Sequence, residues 1–111
     1  MILTKQQALS LHQQMWSDMQ RDLGDCPTHE NRAMYKEKWI TDHYPNEEIE
    51  CRCFLCEYIK QLYNDDLTIQ CRNCPVDWGA ISRYFCCEQG VSAVDWRYSP
   101  ISEILALPER N

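Results

Sequence analysis

Cys53, Cys56, Cys71 and Cys74 stand as Cys-x2-Cys, a spacer of fourteen residues, and a second Cys-x2-Cys. Each pair at that spacing folds into a tight turn that aims two sulfurs at one centre. Two such turns complete a tetrahedral four-thiolate shell of the kind that holds one Zn2+ ion. A shell of four protein sulfurs leaves no open coordination position, so the chemistry it supports is structural rather than catalytic. Backbone N–H groups after the first cysteine of each pair, around Phe54-Leu55-Cys56 and Arg72-Asn73-Cys74, can donate to sulfur and spread its charge. Arg52 and Arg72 either soften the negative charge of the shell or are ordinary surface residues.

Eight cysteines are present, which leaves Cys26, Cys51, Cys86 and Cys87. Cys51 competes with Cys53 for the first turn, and the two-residue spacer favours Cys53. Three readings hold for the remainder: buried thiols acting as small apolar groups, a second metal site drawing on Cys26, Cys51 and Cys86 or Cys87, or a reactive cysteine. The last lacks an adjacent histidine to activate it. His12 reads as a histidine at the edge of a packed helical face rather than a ligand. His29-Glu30-Asn31 reads as a first helical turn, and Asp65-Asp66 as a turn apex. With three glycines there is little material for a phosphate cradle, and no catalytic constellation is expected.

Composition narrows the partners. The net charge is −6, from 11 basic and 17 acidic residues. A basic stripe that would track a phosphate backbone is therefore not expected, although Arg52, Lys60, Arg72, Arg83 and Arg97 converging on one face would reverse that expectation. The first residues, Met1-Ile2-Leu3-Thr4-Lys5-Gln6-Gln7, lack the basic and apolar regions of a secretory leader, and no run is long enough to cross a membrane. In a reducing cytosol, cysteines at this spacing favour metal over disulfide.

The elements that must position the thiols are mainly helical. One domain over 1–111 is expected, with a helical hairpin at 4–45, a zinc-knuckle or ribbon region at 46–98, and a closing helix and tail at 99–111. Thr4 N-caps a first helix to residue 23 whose stripe is Ala8, Leu11, Met15, Met19 and Leu23, with Trp16 flanking it and Gly24 ending it. Thr28 N-caps a second helix to about Asp42, containing Met34, Tyr35, Trp39 and Ile40. Within the spacer, a short helix from Glu57 and an extended lead at Leu67–Gln70 are expected. Ser99 N-caps the last helix, with Pro100 at its first position and Ile101, Ile104, Leu105 and Leu107 on its apolar side. Residues 80–98 show no sustained period.

Cys53-Phe54-Leu55-Cys56-Glu57-Tyr58, followed by Cys71-Arg72-Asn73-Cys74-Pro75-Val76-Asp77-Trp78, a later Trp96 and the ending Leu107-Pro108-Glu109-Arg110, resembles a group of small cysteine-rich proteins encoded by tailed bacteriophages. The resemblance implies a structural zinc and a life in the cytoplasm of a bacterial host; it implies no activity. Proteins of this sort are often accessory factors that bind host proteins, including components of host defence. On the residues alone, Trp78 and Tyr58 either screen the metal from water or are core aromatics, and Trp96, Arg97 and Tyr98 are either a contact surface or core and rim. The expected function is non-catalytic binding of a host protein. The alternatives are a zinc-dependent nucleic-acid-binding or regulatory protein, and a nuclease-like or thiol-based enzyme.

Overall fold

The structure, a computed structural model, describes residues 2–47, 54–63, 74–77 and 94–109. Among them the chain is mainly helical, with α1 at Lys5–Leu23, α2 at His29–His43, α3 at Phe54–Tyr63 and α4 at Ile101–Leu105. No helix there is long and apolar enough to cross a membrane.

The start of α1 follows from its first four residues. The Thr4 hydroxyl accepts from Gln7 N (3.1 Å), and the Gln7 side chain accepts from Thr4 N (2.9 Å), a reciprocal capping box. Gly24 stops the helix at φ 85°, a left-handed conformation that strains any residue with a Cβ, and its N–H donates to Gln20 O. The buried face is Ala8, His12, Met15, Trp16 and Met19. This differs from the expected stripe: Leu11 is only half-buried and Leu23 is exposed, while Trp16 and His12 lie fully inside. The cause is that α1 packs against three helices (α2, α3 and α4), so its buried face is broader than a single seam.

Thr28 caps α2 by accepting from Asn31 N at 3.2 Å. α2 runs antiparallel to α1. Tyr35 donates its hydroxyl to Asp22, and Trp39, one turn further on, donates its indole N–H to Asp18, one turn further back. Helical spacing also sets the buried face of α2, but its occupants are Arg32, Lys36 and Trp39. Met34 points outward and is 63% exposed.

α3 begins at Phe54, three residues before the expected helix, and therefore includes Cys56. Phe54, Leu55 and Ile59 are buried in the same core as Met15, Met19 and Trp39. Gln61 fastens the N-terminal segment to α3: its Oε1 accepts from Leu3 N (2.7 Å) and its Nε2 donates to Leu3 O (2.9 Å). Residues 74–77 are held by the other end of the described chain. Val76 forms an isolated antiparallel bridge with Glu109, and Asp77 N donates to Pro108 O at 2.9 Å.

α4 corrects one expectation. Pro100, not Ser99, is the cap residue, and it supplies no side-chain hydrogen bond. The Ser99 hydroxyl instead accepts from Asp95 N, closing the turn at 95–99. The first N–H groups of α4 are satisfied from the link between α1 and α2: Ile101 N donates to Asp25 O (2.8 Å), Ser102 N to an Asp25 carboxylate oxygen (2.7 Å), and the Ser102 hydroxyl to the other oxygen. The Gln20 amide first, then the Ser102 N–H and hydroxyl, hold the Asp25 carboxyl below its usual range. The helix ends at Leu105, so Leu107 lies outside it, half-buried against the core.

Candidate metal centre

Two of the four candidate ligands are described. Cys56 occupies the first turn of α3, half-buried and packed against the hydrophobic core, while Cys74 is buried within that core. The structure thus brings one cysteine from each Cys-x2-Cys pair to the same apolar interior. Cys53 and Cys71 lie outside the described residues, as do Cys51, Cys86, Cys87, Trp78, Arg52, Arg72, Arg83, Asp65-Asp66 and the lead at 67–70. Cys53 directly precedes α3 in the sequence, and the first N–H groups of that helix have no intrahelical acceptor, so this is where a thiolate acceptor is useful. A thiolate at Cys56, on a helix that buries Phe54 and Leu55, would need a bound cation to offset its charge. Among the described residues no three His, Cys, Asp or Glu side chains form a metal-binding group. Cys26 is exposed in the link between α1 and α2.

The interior face of α2 carries two buried basic groups. Arg32 is 1% exposed, and its guanidinium spans three carbonyls: Nε donates to Pro27 O (3.0 Å), and one terminal nitrogen donates to Trp96 O (2.9 Å) and Ser99 O (2.5 Å). Desolvation pulls its pKa down, with Cys26, Asp25 and Asp95 opposing that pull; the group remains cationic. Lys36 is 2% exposed, with its Nζ 4.1 Å from the centre of the Trp96 ring and 5.6 Å from that of Trp16. Two indole faces therefore hold this ammonium by cation–π attraction. Trp96 itself is core, edge-on to His29 at 5.2 Å, and its buried indole N–H has no acceptor among the described residues. Of the Trp96-Arg97-Tyr98 surface weighed from the sequence, only Tyr98 is fully exposed. Arg97 is half-buried and paired with Asp95 at 3.0 Å, so it belongs to the turn rather than to a basic face. Tyr58, the other aromatic beside the cysteines, is half-buried against the core.

His12 is deeper than the edge position expected of it. Burial first, and the charge of Lys36 second, bring its pKa from 6.5 down to about 3. The folded state therefore keeps His12 neutral where the unfolded chain protonates it. Its effect on stability is absent above pH 6.5 and grows as a penalty as pH falls from 6.5 toward 3. The full penalty is roughly 4–5 kcal/mol, at up to about 1.4 kcal/mol per pH unit. His12→Leu is expected to flatten this part of the acid-unfolding profile and to leave metal content unchanged, as read by urea titrations at several pH values. Lys36→Met keeps the stem packing and removes a buried charge, so its stability is expected to lie within about 1 kcal/mol of the parent. It also removes a repulsion on His12, whose NMR titration midpoint should rise.

A cleft of about 280 Å³ between α1 and α2 is lined by Asp18, Asp22, Tyr35, Trp39, Asp42 and His43 among others. Its groups are engaged with one another. Asp22 accepts from Tyr35 and Arg21, and Asp18 accepts from Trp39 and pairs with Arg21 at 3.4 Å. Burial, then the Asp22 bond, raises Tyr35 to about 12. His43 stacks on Trp39 at 3.8 Å.

Arg32 and Lys36 are the residues that sequence reading missed, while His12 was read as packed but not as deeply buried as it is. The available signal was the i, i+4, i+7 spacing of Arg32, Lys36 and Trp39, which puts two cations on the face of the one helical tryptophan of α2. Models of protein families, curated proteins and solved structures were each compared with the chain, and none matches it.

Proposed function

We propose that this chain is a small non-catalytic binding protein, stabilised by one zinc ion on Cys53, Cys56, Cys71 and Cys74, whose partner is a protein. The observation that carries the metal reading is that Cys56 and Cys74, one from each Cys-x2-Cys pair, border a single core. The binding reading draws on the charge balance of −6, which disfavours a phosphate backbone, and on the engagement of the described buried ionisable groups in holding the fold. The phage-like sequence pattern supports an accessory role in the cytoplasm of a bacterial host, by capture of a host protein and in particular of a defence component.

Native mass spectrometry of protein purified without added metal, before and after chelation, tests the first half. One zinc per chain, lost together with the folded charge-state distribution, is the expected result; disulfide mass shifts without metal would refute it. Nuclease treatment of the tagged protein recovered from bacterial extract tests the second half. A stoichiometric protein partner should survive the treatment, whereas loss of all bound material would favour the nucleic-acid reading.

A further inference from the structure

We infer that the metal centre and the α1–α2 hairpin form one cooperative unit, so that zinc occupancy controls whether the hairpin folds; the control by zinc rests on the metal reading above. A single domain was expected, with a helical hairpin joined to a metal-stapled part, and the contacts among the described residues show how the hairpin meets α3. α3, which carries Cys56, buries Phe54, Leu55 and Ile59 in the core that α1 shares. The Phe54 ring meets Trp39 edge-on at 5.6 Å and Tyr44 at 6.4 Å, joining α3 to α2 and to the residue that ends it. Gln61 grips both backbone groups of Leu3. Beside Cys74, Val76 bridges to Glu109, whose carboxylate reaches Lys5 of α1 at 3.4 Å.

The hairpin, in contrast, joins its two helices through polar bonds such as Tyr35–Asp22 and Trp39–Asp18. A piece of about 40 residues is too small to hold a core alone. The apolar face of α1 is completed by α3 and α4, and α3 carries Cys56 of the proposed shell in its first turn. Because zinc binding to such sites is itself folding free energy, removing the ion withdraws support from α3 and hence from α1. The fold that a protein partner would recognise is then present only in the metal-loaded chain, and chelation removes it.

Amide hydrogen exchange on the full chain tests this, read at 8–19 of α1, 32–40 of α2 and 55–63 of α3. Chelation should raise exchange in all three by about 100-fold or more and by similar factors. Zinc present in the untreated protein, with α1 and α2 still protected after its removal, would overturn the inference and leave the metal reading intact. Zinc absent from the untreated protein would overturn both the metal reading and control by zinc. Ile59→Ala, outside the Cys53–Cys56 turn, separates cooperativity from metal when zinc content is read alongside. Equal acceleration in α1 and α3 with zinc retained is expected, and acceleration confined to α3 would refute a single unit. Ile59→Val is the milder variant if Ile59→Ala does not fold.

Discussion

Cys74→Ser and Cys56→Ser are each expected to release the metal and to abolish cooperative unfolding of the chain. A serine hydroxyl is a poor zinc ligand near neutral pH, so each variant reduces the shell to three sulfurs. Apparent zinc-binding energies in four-ligand sites are of order 10 kcal/mol, comparable to the entire stability of a domain this size. Cys74 adds a second cost, because it is 7% exposed and a hydroxyl there is left in an apolar interior. Metal content by mass spectrometry and thermal melting by circular dichroism give the two readouts. Cys26→Ser, in the exposed link, should keep both at parental values, and Cys51→Ser, Cys86→Ser and Cys87→Ser should keep the single zinc. Retention of metal and melting by Cys56→Ser would disprove the four-cysteine assignment.

Arg32→Ala is expected to cost about 3–5 kcal/mol, the largest effect of any described residue away from the cysteines. The loss has two parts. The carbonyls of Trp96 and Ser99 lose their charged donor in an interior that water does not readily reach, and the turn at 95–99 is no longer tied to Pro27. Arg32→Lys should recover little, because an ammonium lacks the planar fork that reaches three carbonyls in different directions. At about 4–8 °C per kcal/mol, the melting temperature should fall by some 10 °C or more. A loss under about 1 kcal/mol would show that water replaces the guanidinium and that the brace is dispensable.

How far the sequence could be read depended on how local each cause was. Thr4, Gly24 and Thr28 act on backbone groups within four residues, and all were legible; the Gln7 half of the capping box was not read. Ser99 misled because the donors it was expected to satisfy are taken by Asp25, a residue brought there only by the folded chain. The interior of α2 was illegible for a different reason: hydropathy places Arg32 and Lys36 outside and Met34 inside, and the structure reverses all three. Such a reversal needs carbonyls and indole faces supplied by residues far along the chain, which no helical period can reveal. The cysteine spacing was the clearest signal for the site, while the start of α3 at Phe54, earlier than the expected Glu57, places Cys56 on a helix.

The clasp between Asp25 and Ser102, 77 residues apart in the chain, bears on the order of events during synthesis. α1 leaves the ribosome before the other described helices, and of its packing partners α3 and α4 are made much later. Until Ile104 has emerged, α1 presents Met15, Trp16 and Met19 without their final neighbours. Long-range closure of this kind slows folding and leaves apolar surface open to other chains in the meantime. Translation of the last helix, rather than of the first, thus sets the earliest moment at which the nascent chain can hide its core from chaperones and proteases.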